Sequence, residues 1–123
     1  MLPYLILGLG MVSNATGIVF AKRLTNSLME SGVKWTSPGS IVPALISNIN
    51  LYMSLLLFGC GFLAYLFTIS RINLHIAYPI FVSVVMILVT IASAVLFAET
   101  IHLKSIVGIV IIIIGIFVLA TAR

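Results

Sequence analysis

The chain has 123 residues, of which 63% are hydrophobic and only 7% charged, and its mean hydropathy is +1.37; ordinary soluble domains carry roughly 25% charged residues, so this chain is built for lipid. At about 20 apolar residues per crossing, it holds at most four or five spans and leaves no room among its residues for a separate soluble catalytic domain. The net charge of +4 comes from six Lys and Arg against Glu30 and Glu99. The basic residues stand at the edges of apolar runs and form no cluster interleaved with aromatics, which argues against nucleic acid as a partner.

The first apolar stretch, residues 3–21, has no basic segment before it and carries Pro3, Gly8, Gly10 and Gly17, so it reads as a retained span and not as a secretory signal. Asn14 shares one helical face with Gly10, Gly17 and Ala21. That face has two readings: a substrate pocket in which Asn14 is cleared by glycines, or a small-residue seam in which it hydrogen-bonds a neighbouring helix. Lys22 and Arg23 follow directly; they are interfacial anchors, or they turn inward as a clamp for a phosphate at the mouth of a pocket.

Residues 22–50 read as a long connection mixing charge, Trp35, Pro38, Gly39 and Pro43 with short apolar pieces. It is either a floppy loop or contains a short interfacial helix over residues 40–46, with Trp35 anchoring at the headgroup level.

The second span, residues 51–69, places Ser54, Phe58, Gly61, Tyr65 and Thr68 on one face, as pocket lining or as ordinary packing. It carries Cys60, the only cysteine, which rules out a disulfide framework or a thiolate metal cluster within one chain. A turn at 70–73 leads into the third span, residues 74–98. There His75, Pro79, Ser83, Met86, Thr90 and Ser93 fall within an arc of roughly 80°, a polar stripe that should face protein or water. Any single hydroxyl of that stripe is also explained by bonding to its own backbone. Pro79 frees the carbonyl of His75, one turn earlier. A turn at 99–102 precedes the fourth span, residues 103–120, an Ile and Val run in which Gly108 and Gly115 are seven apart and form a candidate packing or dimer seam.

No Asp, Glu, Lys, Arg or His lies in the middle of a span, which argues against a buried carboxylate exchanging protons for a cationic substrate. No nucleophile and base pair, metal-ligand cluster or phosphate loop is present, so the chain does not read as an enzyme and calls for no cofactor. With an even number of spans, Arg71 and Arg123 share one membrane face, and Lys22, Arg23, Lys34 and Lys104 share the other. This is a weak bias placing the long connection in the cytoplasm.

Three segments carry a family resemblance: Asn14-Ala15-Thr16-Gly17 with Lys22; Ile76-Ala77-Tyr78-Pro79-Ile80-Phe81; and Leu96-Phe97-Ala98-Glu99-Thr100-Ile101, followed by Lys104 and Gly108. Together they resemble the small multidrug resistance branch of the drug/metabolite transporter superfamily (EamA-like). In character they are closest to the aminoarabinose-phosphoundecaprenol flippase subunits. The resemblance implies an all-α membrane protein of four transmembrane helices in the multi-pass plasma membrane style of a bacterium or archaeon, with a pocket of the first three helices completed by dimerisation through the fourth. The chain departs from the multidrug exporters, which carry a first-helix glutamate where it has Asn14 and a tryptophan where it has Phe81. Its first connection is also longer than theirs.

The candidate substrate-binding residues on this reading are Asn14, Gly17, Lys22, Arg23, Tyr65, Tyr78, Phe81, Ser83 and Thr90, with Gly108 and Gly115 packing the dimer. The implied partners are a membrane lipid or lipid-linked sugar, a second copy or a related four-helix subunit, and a membrane glycosyltransferase. The implied function is a flippase for a glycosyl phosphoprenol or similar polar lipid. Two other functions stay open: export of a small solute or drug, and a non-transporting assembly subunit.

Overall fold

The computed structural model describes residues 1–121 and, of residue 120, the backbone only. Arg123, which the charge pattern pairs with Arg71, lies outside the described residues. The architecture is all-α: α1 (Leu2–Glu30), α2 (Pro38–Ile46), α3 (Ile49–Ile69), α4 (Leu74–Phe97) and α5 (Leu103–Thr121). By length and composition α1, α3 and α4 can each cross a membrane, and α5 contributes a shorter apolar stretch, Leu103–Leu119. The chain is a multi-pass membrane protein.

Residues 22–50, the long connection after the apolar stretch 3–21, begin as helix, since α1 continues to Glu30, and they contain a short helix at Pro38–Ile46, the second of the two readings of that connection. Residues 22–30 contain neither Gly nor Pro, and Leu24 and Leu28, one turn apart, are both buried. The apolar stripe therefore persists after the outer face has turned charged, and a stripe at this spacing sustains a helix. The helix stops where the Ser31 backbone N–H donates to the Ser27 carbonyl and the Gly32 N–H to the Met29 carbonyl, and Gly32 takes φ 70°, the left-handed conformation that glycine adopts freely. Between α1 and α3 there remain residues 31–37, the helix α2 opened by Pro38, and residues 47–48. Of α2, Val42 and Ile46 are exposed, as is Trp35 just before it.

α1 is the hub of the bundle, lying against α3 along its length and against α4 on another face, while among the described residues α5 packs on α4 alone. The seam with α3 is made by small residues. A Cβ built on Gly17 would lie 3.3 Å from the Ser54 carbonyl oxygen and 3.3 Å from the Leu57 Cβ, and the Ser13 hydroxyl donates to the Leu57 carbonyl at 2.9 Å. Both ends of the seam are tied. Asn48 Nδ2 donates to Ser27 Oγ at 3.0 Å; at the far end the fully buried Thr68 hydroxyl donates to the Ala64 carbonyl at 2.9 Å, with the Pro3 carbonyl at 3.4 Å. The contact with α4 is a conventional apolar core of Leu7, Met11, Ala15 and Val85, with Tyr65, Phe81 and Leu88 packed around it.

Candidate functional site

The sequence-predicted site residues do not gather into one pocket within the chain; the fold distributes them between two places at opposite ends of the bundle. Thr68 meets Pro3, so the α3–α4 turn shares an end with the start of α1. Lys22 meets Glu99, so the α4–α5 turn lies at the other end, about 30 Å along α1 at 1.5 Å per residue.

At the first end a cleft of about 840 Å³ opens between α3 and α4, lined by Tyr65, Asn73, Leu74, His75, Tyr78 and Pro79. Pro79 sits inside α4, where it can donate no backbone hydrogen bond, and this leaves the His75 carbonyl without its helical donor beside the cleft. Tyr65 is held by Phe81, whose ring centroid lies 5.1 Å away at an interplanar angle of 53°, a tilted geometry that favours aromatic pairs. Tyr78 is 57% exposed and presents its ring to the opening. Tyr65, Tyr78 and Phe81 are thus brought together.

At the other end Lys22 Nζ lies 2.9 Å from Glu99 Oε1, and the Ser93 hydroxyl donates to Glu99 Oε2. The Ser93 hydroxyl first, and Lys22 second, hold the Glu99 carboxyl below the usual carboxylate range. Local geometry aims Glu99 back at α4. Ala98 ends that helix in the left-handed region at φ 52°, and the Glu99 N–H donates to the Ser93 carbonyl at 3.4 Å. A small groove of about 120 Å³ lies beneath, lined by Ile18, Val19, Val89 and Phe97 besides the three polar residues. Arg23 does not join this cluster; its guanidinium lies over the Phe20 ring, 5.5 Å from the centroid.

The remaining candidates lie elsewhere. Gly17 belongs to the α1–α3 seam and not to a cavity wall, and Asn14 is half-buried beside it, its backbone N 3.2 Å from a Cβ built on Gly61. Ser83 is buried, its hydroxyl donating to the Pro79 carbonyl at 2.6 Å, and it fronts α5 with Ile113 and Ile116. Thr90 donates to the Met86 carbonyl at 2.8 Å. The polar stripe is therefore largely occupied with its own helix. Gly108 and Gly115 have nothing within 4 Å of an added Cβ among the described residues. Periodicity along α4 places Ser93 in the polar stripe but does not reach Glu99, which is one of only two acids in the chain and stands at a turn.

No family model matches the chain. It is similar to the probable 4-amino-4-deoxy-L-arabinose-phosphoundecaprenol flippase subunit ArnE of Enterobacter sp. (strain 638), with 38% identity over 72 residues that cover 58% of this chain and 66% of the relative. The chain thus matches slightly less than two thirds of that relative's length. The similarity is to a subunit of the kind that the three sequence segments resemble.

Proposed function

We propose that the chain is a four-span subunit of a membrane transporter that moves a lipid-linked sugar, a glycosyl phosphoprenol or similar polar lipid, between the leaflets of a bacterial or archaeal plasma membrane. The observation that carries the reading is the similarity to a flippase subunit. The geometry supports it in two ways. A cleft walled by two tyrosines offers aromatic faces for a sugar ring, and a lysine at the other membrane face offers charge for a phosphate. A lipid carried between leaflets meets one of these groups at each face while its tail stays in the bilayer.

Transport on this reading needs a partner. Among the described residues α5 packs only on α4 and nothing lies within 4 Å of a Cβ at Gly108 or Gly115, which suits close approach by the fourth helix of a second copy or a related subunit. α5, at 19 residues, is about 28 Å long, close to the roughly 30 Å hydrocarbon thickness, and acts as the fourth crossing.

Native mass spectrometry of the protein released gently from its own membranes tests the proposal, because it reports oligomeric state and retained lipid together. A dimer carrying a polyprenyl phosphate species is the expected result. A dimer with bulk phospholipid alone would favour solute export or a structural role, and a monomer would remove the shared-pocket arrangement.

A further inference from the structure

We propose that Lys22 and Ser93 form a phosphate site whose occupant in this conformation is the chain's own Glu99 carboxylate, so that an incoming phosphate binds by displacing Glu99 and thereby frees the α4–α5 turn from α1. The inference rests on the lipid-transport reading above and adds to it how the substrate phosphate enters.

Two donors from two helices converge on one oxyanion: the Lys22 ammonium, 2.9 Å from Oε1, and the Ser93 hydroxyl on Oε2. A phosphate presents the same acceptor chemistry: as the diester of a glycosyl phosphoprenol it matches the carboxylate with two free oxygens and one charge, as a monoester it adds a third oxygen and more charge, and either accepts charge-assisted hydrogen bonds from such a pair. The resident carboxylate is easy to displace. The Lys22 and Glu99 side chains are 44% and 45% exposed, and an ion pair as open as this holds weakly against solvent.

The surroundings favour a phosphate attached to an apolar chain. The groove under the cluster, about 120 Å³, is lined by Ile18, Val19, Val89 and Phe97. A second groove of about 250 Å³, which shares Val19 and is lined by Ala15, Leu88 and Ala92, also lies between α1 and α4. A free phosphate ion uses the two donors only; a lipid phosphate uses the donors and lays its tail along the grooves.

Displacement also has a mechanical consequence. Glu99 tethers to α1 a turn whose Ala98 stands at φ 52°, a conformation a non-glycine residue keeps only where its surroundings hold it. Once Glu99 lets go, the turn relaxes and α5, which packs on α4 among the described residues, loses the link to α1 that the turn gave it. Binding of substrate is thereby coupled to a change in how the helix that meets the partner is held.

The test uses the full chain and its E99Q, K22Q and S93A variants in phosphatidylcholine nanodiscs, titrated with a polyprenyl phosphate or with inorganic phosphate and read by native mass spectrometry. The expected result is tighter retention of the polyprenyl phosphate by E99Q, several-fold above wild type, with retention lost in K22Q and weakened in S93A. Tighter binding of inorganic phosphate than of the lipid, with the same order of variants, would support the site and assign it to the free ion. Equal retention by wild type and E99Q would overturn displacement while leaving the transport reading intact, as would a K22Q variant that binds like wild type. Failure of wild type to retain any polyprenyl phosphate would overturn both. Should E99Q fail to fold, K22Q and S93A carry the test between them, and unchanged retention in both would overturn the site.

Discussion

Gly10 of α1 and Gly61 of α3 face each other backbone to backbone: a Cβ added to Gly10 would lie 3.2 Å from the Gly61 carbonyl oxygen, and one added to Gly61 would lie 3.0 Å from that of Gly10. At Gly10 the added atom would also come within 2.8 Å of the Ala64 Cβ. The obstacles are main chain and a Cβ, none of which can swing aside, so the helices themselves must move apart.

Gly61→Ala and Gly10→Ala should each destabilise the folded chain by about 1–3 kcal/mol, the usual cost of overpacking a tight interface. Gly59→Ala is the control, since nothing lies within 4 Å of a Cβ there, and it should be neutral or slightly stabilising because alanine is the better helix former. Equilibrium unfolding in mild detergent reads the three variants side by side; equal stability of G61A and G59A would contradict the seam.

The Glu99 carboxyl should titrate below a free-peptide glutamate, because its charged form accepts from the Ser93 hydroxyl and pairs with Lys22. A carboxyl lowered in the folded state contributes its stabilisation above the unfolded value and loses it as pH falls through the lowered one. With no phosphate competing, the Lys22–Glu99 tie is therefore charged at neutral pH and is lost as pH falls through the lowered value. Side-chain carboxyl NMR of the ¹³C-labelled protein, assigned with E99Q, measures the midpoint. Ser93→Ala should move it upward, and a midpoint at or above the free-peptide value would argue against the tie.

Ser83→Ala and Thr90→Ala should each change stability by less than about 1 kcal/mol, because these hydroxyls bond to carbonyls of their own helix and deleting both the donor and its need for a partner is nearly neutral. Transport of the proposed lipid in reconstituted vesicles should likewise stay near wild type. A severe transport loss in either variant with normal stability would return that hydroxyl to the substrate path.

The Tyr65–Phe81 ring pair should contribute about 0.5–1.5 kcal/mol beyond the area it buries. A double-mutant cycle of Y65L and F81L, read by unfolding, isolates that coupling. On the proposed function, Tyr78→Ala, which removes a half-exposed ring at the mouth of the cleft, should weaken lipid retention with little loss of stability.

Much of the fold is legible in the chain because membrane helices announce themselves by composition: long apolar runs, broken at 70–73 and 99–102, define the helices α3, α4 and α5 to within a residue or two. The first connection is shorter in the structure than its sequence suggests, because charge at Lys22 and Arg23 has the look of a helix end. The backbone is indifferent to that charge while Leu24 and Leu28 keep a face to bury. The glycine face of α1 admits two meanings in sequence, and spacing alone does not separate a cleared pocket from a close helix contact, since both require small residues.

Sequence by itself determined that this is an all-helical, multi-pass membrane chain with no charge in the middle of its spans, because the requirement to satisfy every backbone group in lipid admits few alternatives. It also names Tyr65, Tyr78 and Phe81 as candidates, which the structure brings together. Only the tertiary structure decided which candidates share a place. Helix direction alternates at each turn, so Lys22 and the Tyr65–Tyr78 cleft fall at opposite ends of the bundle, whereas Lys22 and Glu99, distant in the chain, meet at 2.9 Å. That pairing depends on the α1–α4 packing and on the left-handed Ala98 that turns Glu99 back toward α1, and periodicity along a single helix carries no information about either.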